Sequence, residues 1–292
     1  MEIIVPAAGL STRFPNMKPK YLLYDYKGEL MLHNAIKHFM GIYKIHIGIL
    51  KEHDEKYNAS QLLEYELGDS VVVHILDKPT KGPADTVYQM LKKAEIKDSP
   101  ILIKDCDSFF DHEVSSGNYI CVTNVTKHES LKKLGAKSFV TYNDQGIITD
   151  IVEKEVVSDT FCIGGYKFES ADDYTNAYEN LSTTREVFVS DVISLCLSWG
   201  EIFFNKTVTD YVDVGTAKEW FEFNDKPVIF CDIDGTVIHN QGRVGKNSYM
   251  TEPIPLENNI KLLLELQENG AQFIFTTARP SVYKSVTRQM LY

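Results

Sequence analysis

Residues 1–20 read MEIIVPAAGLSTRFPNMKPK. A short apolar run rich in Ile and Val that stops at a cluster of small residues has the pattern of a buried strand leading into a loop. Ala7, Ala8, Gly9, Ser11 and Thr12 offer little side chain at that point, so the loop presents backbone N–H groups to whatever sits above the sheet, an anion cradle. Arg13, Lys18 and Lys20 follow with positive charge of two kinds, a planar fork and a mobile point charge. The spacing is neither GxxxxGK[ST] nor GxGxxG. On spacing alone, a small-residue strand–helix turn with solvated cations fits equally well.

Outward from this stretch, apolar runs alternate with amphipathic ones. EIIVPAA, KIHIGIL, VVVHIL and PILIKD predict strands, and the stretches near 30–40, 54–66 and 84–95 predict helices between them. That alternation implies strand–helix–strand units and a mainly parallel sheet. From about 118, YICVTNV, KSFVTYN, GIITDIVE and FCIGGYKF predict a more antiparallel region, with NDQG at 143–146 as a hairpin turn, still within one mixed-sheet domain. EFNDKP at 222–227 interrupts the pattern before a fresh strand, VIFCDIDG, which places a domain boundary at 224/225.

Composition narrows the function classes. The 292 residues suggest one large or two unequal domains. A formal charge of −11 argues against a nucleic-acid surface, which needs clustered Lys and Arg, but not against a small phosphorylated ligand held by a few local cations. No apolar run approaches the length of a membrane span, and MEIIVPAAG reads as a core strand, not a signal peptide. Five scattered cysteines without CxxC spacing suggest neither a disulfide frame nor a zinc site, so a reducing cytoplasm is expected. Oligomeric state cannot be read from the pattern.

Several later segments carry candidate chemistry. KGPADTVYQML (81–91) opens a helix, with Pro83 suited to its first turn. ILIKDCDSFF (101–110) ends a strand in Asp105 and Asp107, which share one face of an extended chain and suit Mg²⁺, an ion that takes one or two carboxylates beside substrate phosphates. TDYVDVGTAKEW (209–220) offers another carboxylate, Asp213, and DIVEKEVVSDTFCIGGYKF (150–168) an acid–base pair, Glu153–Lys154. Taken singly, each fits an ordinary helix start, an exposed strand end or a solvated strand edge.

Together these segments resemble the sugar-phosphate nucleotidyltransferases, whose loop is usually written GGxGTRLxP…KP, and the related small-alcohol cytidylyltransferases. The resemblance implies a Rossmann-like mixed α/β sheet (GT-A-like) over 1–224, with Mg²⁺, a nucleoside triphosphate and a small phosphorylated acceptor as partners. It implies catalytic roles for Arg13 and Lys20, with Lys18 as a rival for the latter. Ala7, Ala8, Gly9, Ser11, Thr12, Lys18, Gly82, Ala84 and Asp105 would line the nucleotide; Glu153, Lys154 and Gly164 would hold the acceptor. Asp107 and Asp213 would be the metal ligands. Three departures stand out: Ser11 and Cys106 replace glycines, and Glu155 replaces a proline. The expected reaction is nucleotidyl transfer, CTP favoured, to a sugar or polyol phosphate, forming an activated precursor for surface glycans. A phosphatase and a DxD glycosyltransferase-like or non-catalytic nucleotide-binding module are the alternatives.

VIFCDIDGT (228–236) and FIFTTARP (273–280) resemble motifs I and II of the haloacid-dehalogenase phosphatases. That resemblance implies Asp232 as nucleophile, Asp234 as acid/base and Thr277 as phosphate-binding hydroxyl. The third and fourth motifs are expected further along than SVYKSVTRQMLY (281–292) allows, so residues 225–292 are expected to form an incomplete, inactive α/β HAD-like portion.

Overall fold

The computed structural model describes residues 1–127, 134–239, 254–268 and 270–289. The chain divides into two compact units, Met1–Trp220 and Phe221–Tyr292.

The first unit is built on strands β1 (Glu2–Pro6), β2 (Lys44–Leu50), β3 (Val71–Leu76), β4 (Ile101–Lys104), β5 (Ser108–Phe109), β6 (Asn118–Asn124), β7 (Ser138–Tyr142), β8 (Ile148–Glu153), β9 (Thr160–Phe168), β10 (Phe203–Thr207) and β11 (Val212–Asp213). Among the described residues nine of these form one sheet in the order β10-β6-β9-β4-β1-β2-β3, with β7 paired to β8 and β9. β1, β2, β3 and β4 run parallel, whereas β9 is antiparallel to β4, β6 and β7, so the sheet is mixed. The chain moves from β1 outward through β2 to β3, then returns to place β4 on the other side of β1. In open α/β sheets, the crevice beyond the strand ends at such a reversal is where ligands bind. The loop after β1 and the Asp105–Asp107 segment after β4 both start there.

After α1 (Met31–Ile36), α2 (Lys51–Tyr57) and α3 (Ala59–Leu67), the return from β3 to β4 is made by α4 (Pro83–Ala94), which packs on β1, β2 and β3. Gly48 of β2 permits the close approach: a Cβ there would stand 2.4 Å from Met90 Sδ. The core joins Val87, Met90 and Leu91 of α4 to Ile4, Ile103 and Ile120 of the sheet and to Tyr174 and Ile193 of α5 (Ala171–Glu179) and α6 (Val189–Ser198). Burial of such aliphatic side chains contributes roughly 1.5–3 kcal/mol each.

The expected single helix over 54–66 is two, Lys51–Tyr57 and Ala59–Leu67. Asn58 between them adopts the left-handed conformation (φ 50°), which a short polar side chain tolerates. The NDQG turn is formed: Asn143 Oδ1 accepts the N–H groups of Gln145 and Ile147, and Gly146 takes φ +77°. No helix among the described residues is long and apolar enough to cross a membrane.

In the second unit β12 (Val228–Asp232) and β13 (Gln272–Thr276) pair in parallel, Asp232 opposite Thr276. The helical pattern at 281–292 becomes a short 3-10 turn and a helix over Lys284–Gln289; residues 290–292 lie outside the described residues.

Candidate active site

Two loops meet at the β1/β4 crevice. β11 pairs antiparallel with β5, placing Asp213 opposite Ser108, and Val214 N–H donates to the Asp107 carbonyl at 3.0 Å. Two carboxylates distant in sequence are thereby joined through backbone. Gly215 lies between them: a Cβ there would be 3.1 Å from Asp107 Oδ2, 3.1 Å from Asp213 Oδ1 and 3.3 Å from Arg13 Nη1. The two carboxylate oxygens therefore lie within about twice that distance of each other, across a space that a side chain would fill.

The loop after β1 supplies the cations. Lys20 Nζ donates to Asp107 Oδ2 at 2.6 Å and Arg13 Nη2 to the same oxygen at 3.4 Å. The loop is shaped by Ser11, which takes φ +52°, the conformation in which glycine is at ease, and whose Oγ accepts the Lys20 N–H. Phe14 anchors it in the core and the Ala217 N–H ties it to the Arg13 carbonyl. Lys18 is exposed, so Lys20 is the lysine that reaches the carboxylates.

Burial alone pushes the Asp107 carboxyl up, but Lys20 and Arg13 outweigh it and hold the group well below the ordinary carboxylate range. Burial likewise pulls Lys20 down, but the Asp107 charge, the neighbouring Cys106 and the hydrogen bond to Asp107 together leave its pKa raised. Asp105 goes the other way: burial, then the neighbouring Asp107 charge, raise it.

Some expected contacts are arranged differently. Ala7 and Ala8 are buried, and the Ala7 N–H donates to the Gly48 carbonyl, so that group is already paired and is no part of an anion cradle. Gly9 is open, with nothing within 4 Å of a Cβ built there, and Thr12 is exposed. Gly82 (φ +138°) caps α4, where a Cβ would meet the Val187 carbonyl at 2.4 Å; Ala84 is wholly buried and its N–H donates to that carbonyl. Gly164 (φ +83°) lies against Asp105, whose N–H donates to the Gly164 carbonyl. Glu153 Oε2 accepts from the hydroxyls of Ser138 and Ser190, and Lys154 (φ +59°) stands 3.9 Å from the Phe188 ring centroid.

Two lysines of the site carry no motif. Lys137 Nζ bonds to Asp213 Oδ2 and, at 2.8 Å, to Tyr211 Oη. Lys104 is wholly buried; its Nζ donates to the Asp105 carbonyl at 2.8 Å, the Ser108 carbonyl at 2.5 Å and Ser108 Oγ at 2.9 Å, clamping the turn that carries both aspartates. Burial lowers its pKa to about 8. The one signal for Lys104 was a charge inside an apolar strand.

In the second unit Asp234 accepts from Thr277 Oγ1 at 2.9 Å and from Arg279 Nη2 at 2.5 Å and Nε at 2.9 Å, which holds its carboxyl below the ordinary value. Asp232 is exposed at the end of β12.

Among the described residues no three His, Cys, Asp or Glu side chains gather to hold a metal. Asp107 and Asp213 are two hard oxygen ligands facing one space, a donor set that fits Mg²⁺ completed by substrate phosphates and water.

No family model and no curated protein matches the sequence. Solved structures do. A nucleoside-diphosphate-sugar pyrophosphorylase from Vibrio cholerae RC9 superposes with TM-score 0.66 at 18% identity, over 77% of this chain and 100% of that one. An inositol-1-phosphate CTP transferase from T. maritima gives 0.62 at 15%, over 75% and 90%, and an apo UDP-glucose pyrophosphorylase gives 0.58 at 16%, over 77% and 96%. The chain thus has the α/β fold, with a mixed central sheet, of the sugar nucleotidyltransferases.

Proposed function

We propose that the first unit, Met1–Trp220, transfers a nucleotidyl group from a nucleoside triphosphate to a sugar or polyol phosphate, uses Mg²⁺ and favours CTP. The observation that carries this is the meeting of Asp107 and Asp213 around Gly215 beside Arg13 and Lys20. A CTP transferase among the similar structures supports the choice of nucleotide. An acceptor phosphate oxygen attacks the α-phosphorus in line; the new P–O bond forms as the α–β bridging bond breaks, and its electron pair leaves with pyrophosphate. No covalent enzyme intermediate or general base is needed. Arg13 and Lys20 neutralise and orient the phosphates, and Glu153 and Lys154 hold the acceptor. Mg²⁺ held by Asp107 and Asp213 would supply further neutralisation of the phosphates. The product suits activation of a surface-glycan precursor, and five free, buried cysteines suit a reducing cytoplasm.

We read the second unit as haloacid-dehalogenase-like, on the parallel β12–β13 pair and the Asp234–Thr277 bond. We read it as inactive here, because both Asp234 oxygens are occupied by the Arg279 fork.

The test is pyrophosphate release with Mg²⁺, pairing CTP, UTP, dTTP, ATP and GTP with a panel of sugar and polyol phosphates. Release with one pair is expected, abolished by Asp107→Ala or Asp213→Ala. Arg13→Ala should lower turnover by about 10²–10³ with an unchanged unfolding transition, because the Arg13 side chain is 59% exposed. Silence with every pair would sink the transfer reading and favour a nucleotide-binding module.

A further inference from the structure

Each of the two carboxylates carries an ammonium. Asp107, 13% exposed, holds Lys20, 19% exposed; Asp213, 12% exposed, holds Lys137, 20% exposed. The lysines come from different segments. Lys20 belongs to the loop after β1, beside Arg13. Lys137 stands at the entry to β7, where Ser138 pairs with Glu153, and its carbonyl accepts the Lys154 N–H at 3.0 Å. Its backbone is therefore fastened to the Glu153–Lys154 strand end, and its ammonium reaches from there to the carboxylate pair. It is also near enough to favour the charged forms of Asp105 and Asp107.

With a divalent ion bound, Asp107 and Asp213 would be taken up as its ligands, and both ammonium groups would lose the carboxylates that hold them and face like charge. An ammonium on a flexible four-carbon stem then moves to the nearest strong anion, and phosphate oxygens are the anions that arrive. For Lys20 these belong to the triphosphate on its own loop. We propose that Lys137 binds the acceptor's phosphoryl group, exchanging Asp213 for a phosphate oxygen when the divalent ion and substrates enter. The assignment rests on the nucleotidyl-transfer reading and makes Lys137 the acceptor-side counterpart of Lys20. The contact holds the attacking oxygen in line and removes no proton from it.

The experiment compares wild type, Lys137→Met and Lys137→Arg, using the substrate pair found in the pyrophosphate assay. Lys137→Met should raise the acceptor KM by about tenfold or more, the range for loss of a hydrogen bond to a charged group. Triphosphate binding, measured by calorimetry, should stay within about twofold of wild type, and Lys137→Arg should recover most of the acceptor affinity. A readout without turnover is Mn²⁺ titration in the absence of substrates: Lys137→Met should bind Mn²⁺ more tightly than wild type, because Asp213 is released from its ammonium. Where Lys137→Met does not fold, Lys137→Gln carries the same comparison. An unchanged acceptor KM, or equal losses for acceptor and triphosphate, would overturn the assignment alone. Wild-type silence across the acceptor panel would overturn the transfer reading and this assignment together.

Discussion

Replacing Gly164 by alanine tests how β9 and the aspartate loop are fitted together. Gly164 sits at φ +83°, and a Cβ there would be 2.5 Å from Asp105 Oδ2, 2.7 Å from Asp105 Cβ and 2.8 Å from Asp105 Cγ. The left-handed backbone costs a residue with a Cβ roughly 1–2 kcal/mol. The contact adds an overpacking cost of about 1–3 kcal/mol, because a side-chain rotation moves Oδ2 but leaves the Asp105 Cβ where it is. Gly164→Ala should therefore destabilise the first unit by about 2–5 kcal/mol. The chain's 2 tryptophans, Trp199 and Trp220, both lie in that unit, so urea unfolding followed by tryptophan fluorescence reports it alone. Asp105→Gly removes all three crowding atoms, and in that background Gly164→Ala should cost only the backbone term. The double-mutant cycle should then show a coupling of about 1–3 kcal/mol. Additive costs, with coupling below about 0.5 kcal/mol, would refute the packing argument.

Two further outcomes follow from buried polar groups. Lys104→Met leaves the Asp105 carbonyl, the Ser108 carbonyl and Ser108 Oγ without their shared donor, and each unsatisfied buried group costs about 1–3 kcal/mol, so the fluorescence-detected urea midpoint should fall sharply. An unchanged midpoint would show that the turn does not depend on the clamp. Burial lowers His74 and His112 to about 4 from an ordinary 6.5, so the unfolded chain binds more protons than the folded one between those values. Stability from these groups is present above about pH 6.5 and is lost as pH falls toward 4; His74→Gln combined with His112→Gln should flatten that part of the urea-midpoint curve.

Much of the fold was legible because hydrophobic period reports burial. KIHIGIL and VVVHIL became β2 and β3, and the change of texture near 118 marks where β6, β7, β8 and β9 introduce antiparallel pairing. The break at Asn58 was not legible, since apolar spacing continues across a left-handed residue that local polarity alone does not announce. In the site, Asp107 stood out as a carboxylate at a strand end and Asp213 through the resemblance carried by TDYVDVGTAKEW, and tertiary pairing of β5 with β11 is what joins them. Lys137 had no such mark: it lies in KSFVTYN, and its role at Asp213 depends on where β7 starts relative to β11. Backbone N–H groups were misjudged for a similar reason, since a small residue such as Ala7 looks free in sequence while its N–H is already taken by a neighbouring strand.

The hydrogen bond from Val214 to the Asp107 carbonyl also bears on how the protein is made. During synthesis, the loop after β1 and Asp107 leave the ribosome within the first half of the first unit, while β11, which completes the carboxylate pair, emerges near its end. A nascent chain stalled before β11 has most of the sheet but one carboxylate and an untied loop. The carboxylate pair is thus completed only when the unit is almost finished, and ribosome-bound intermediates of graded length should gain Mn²⁺ affinity in one late step.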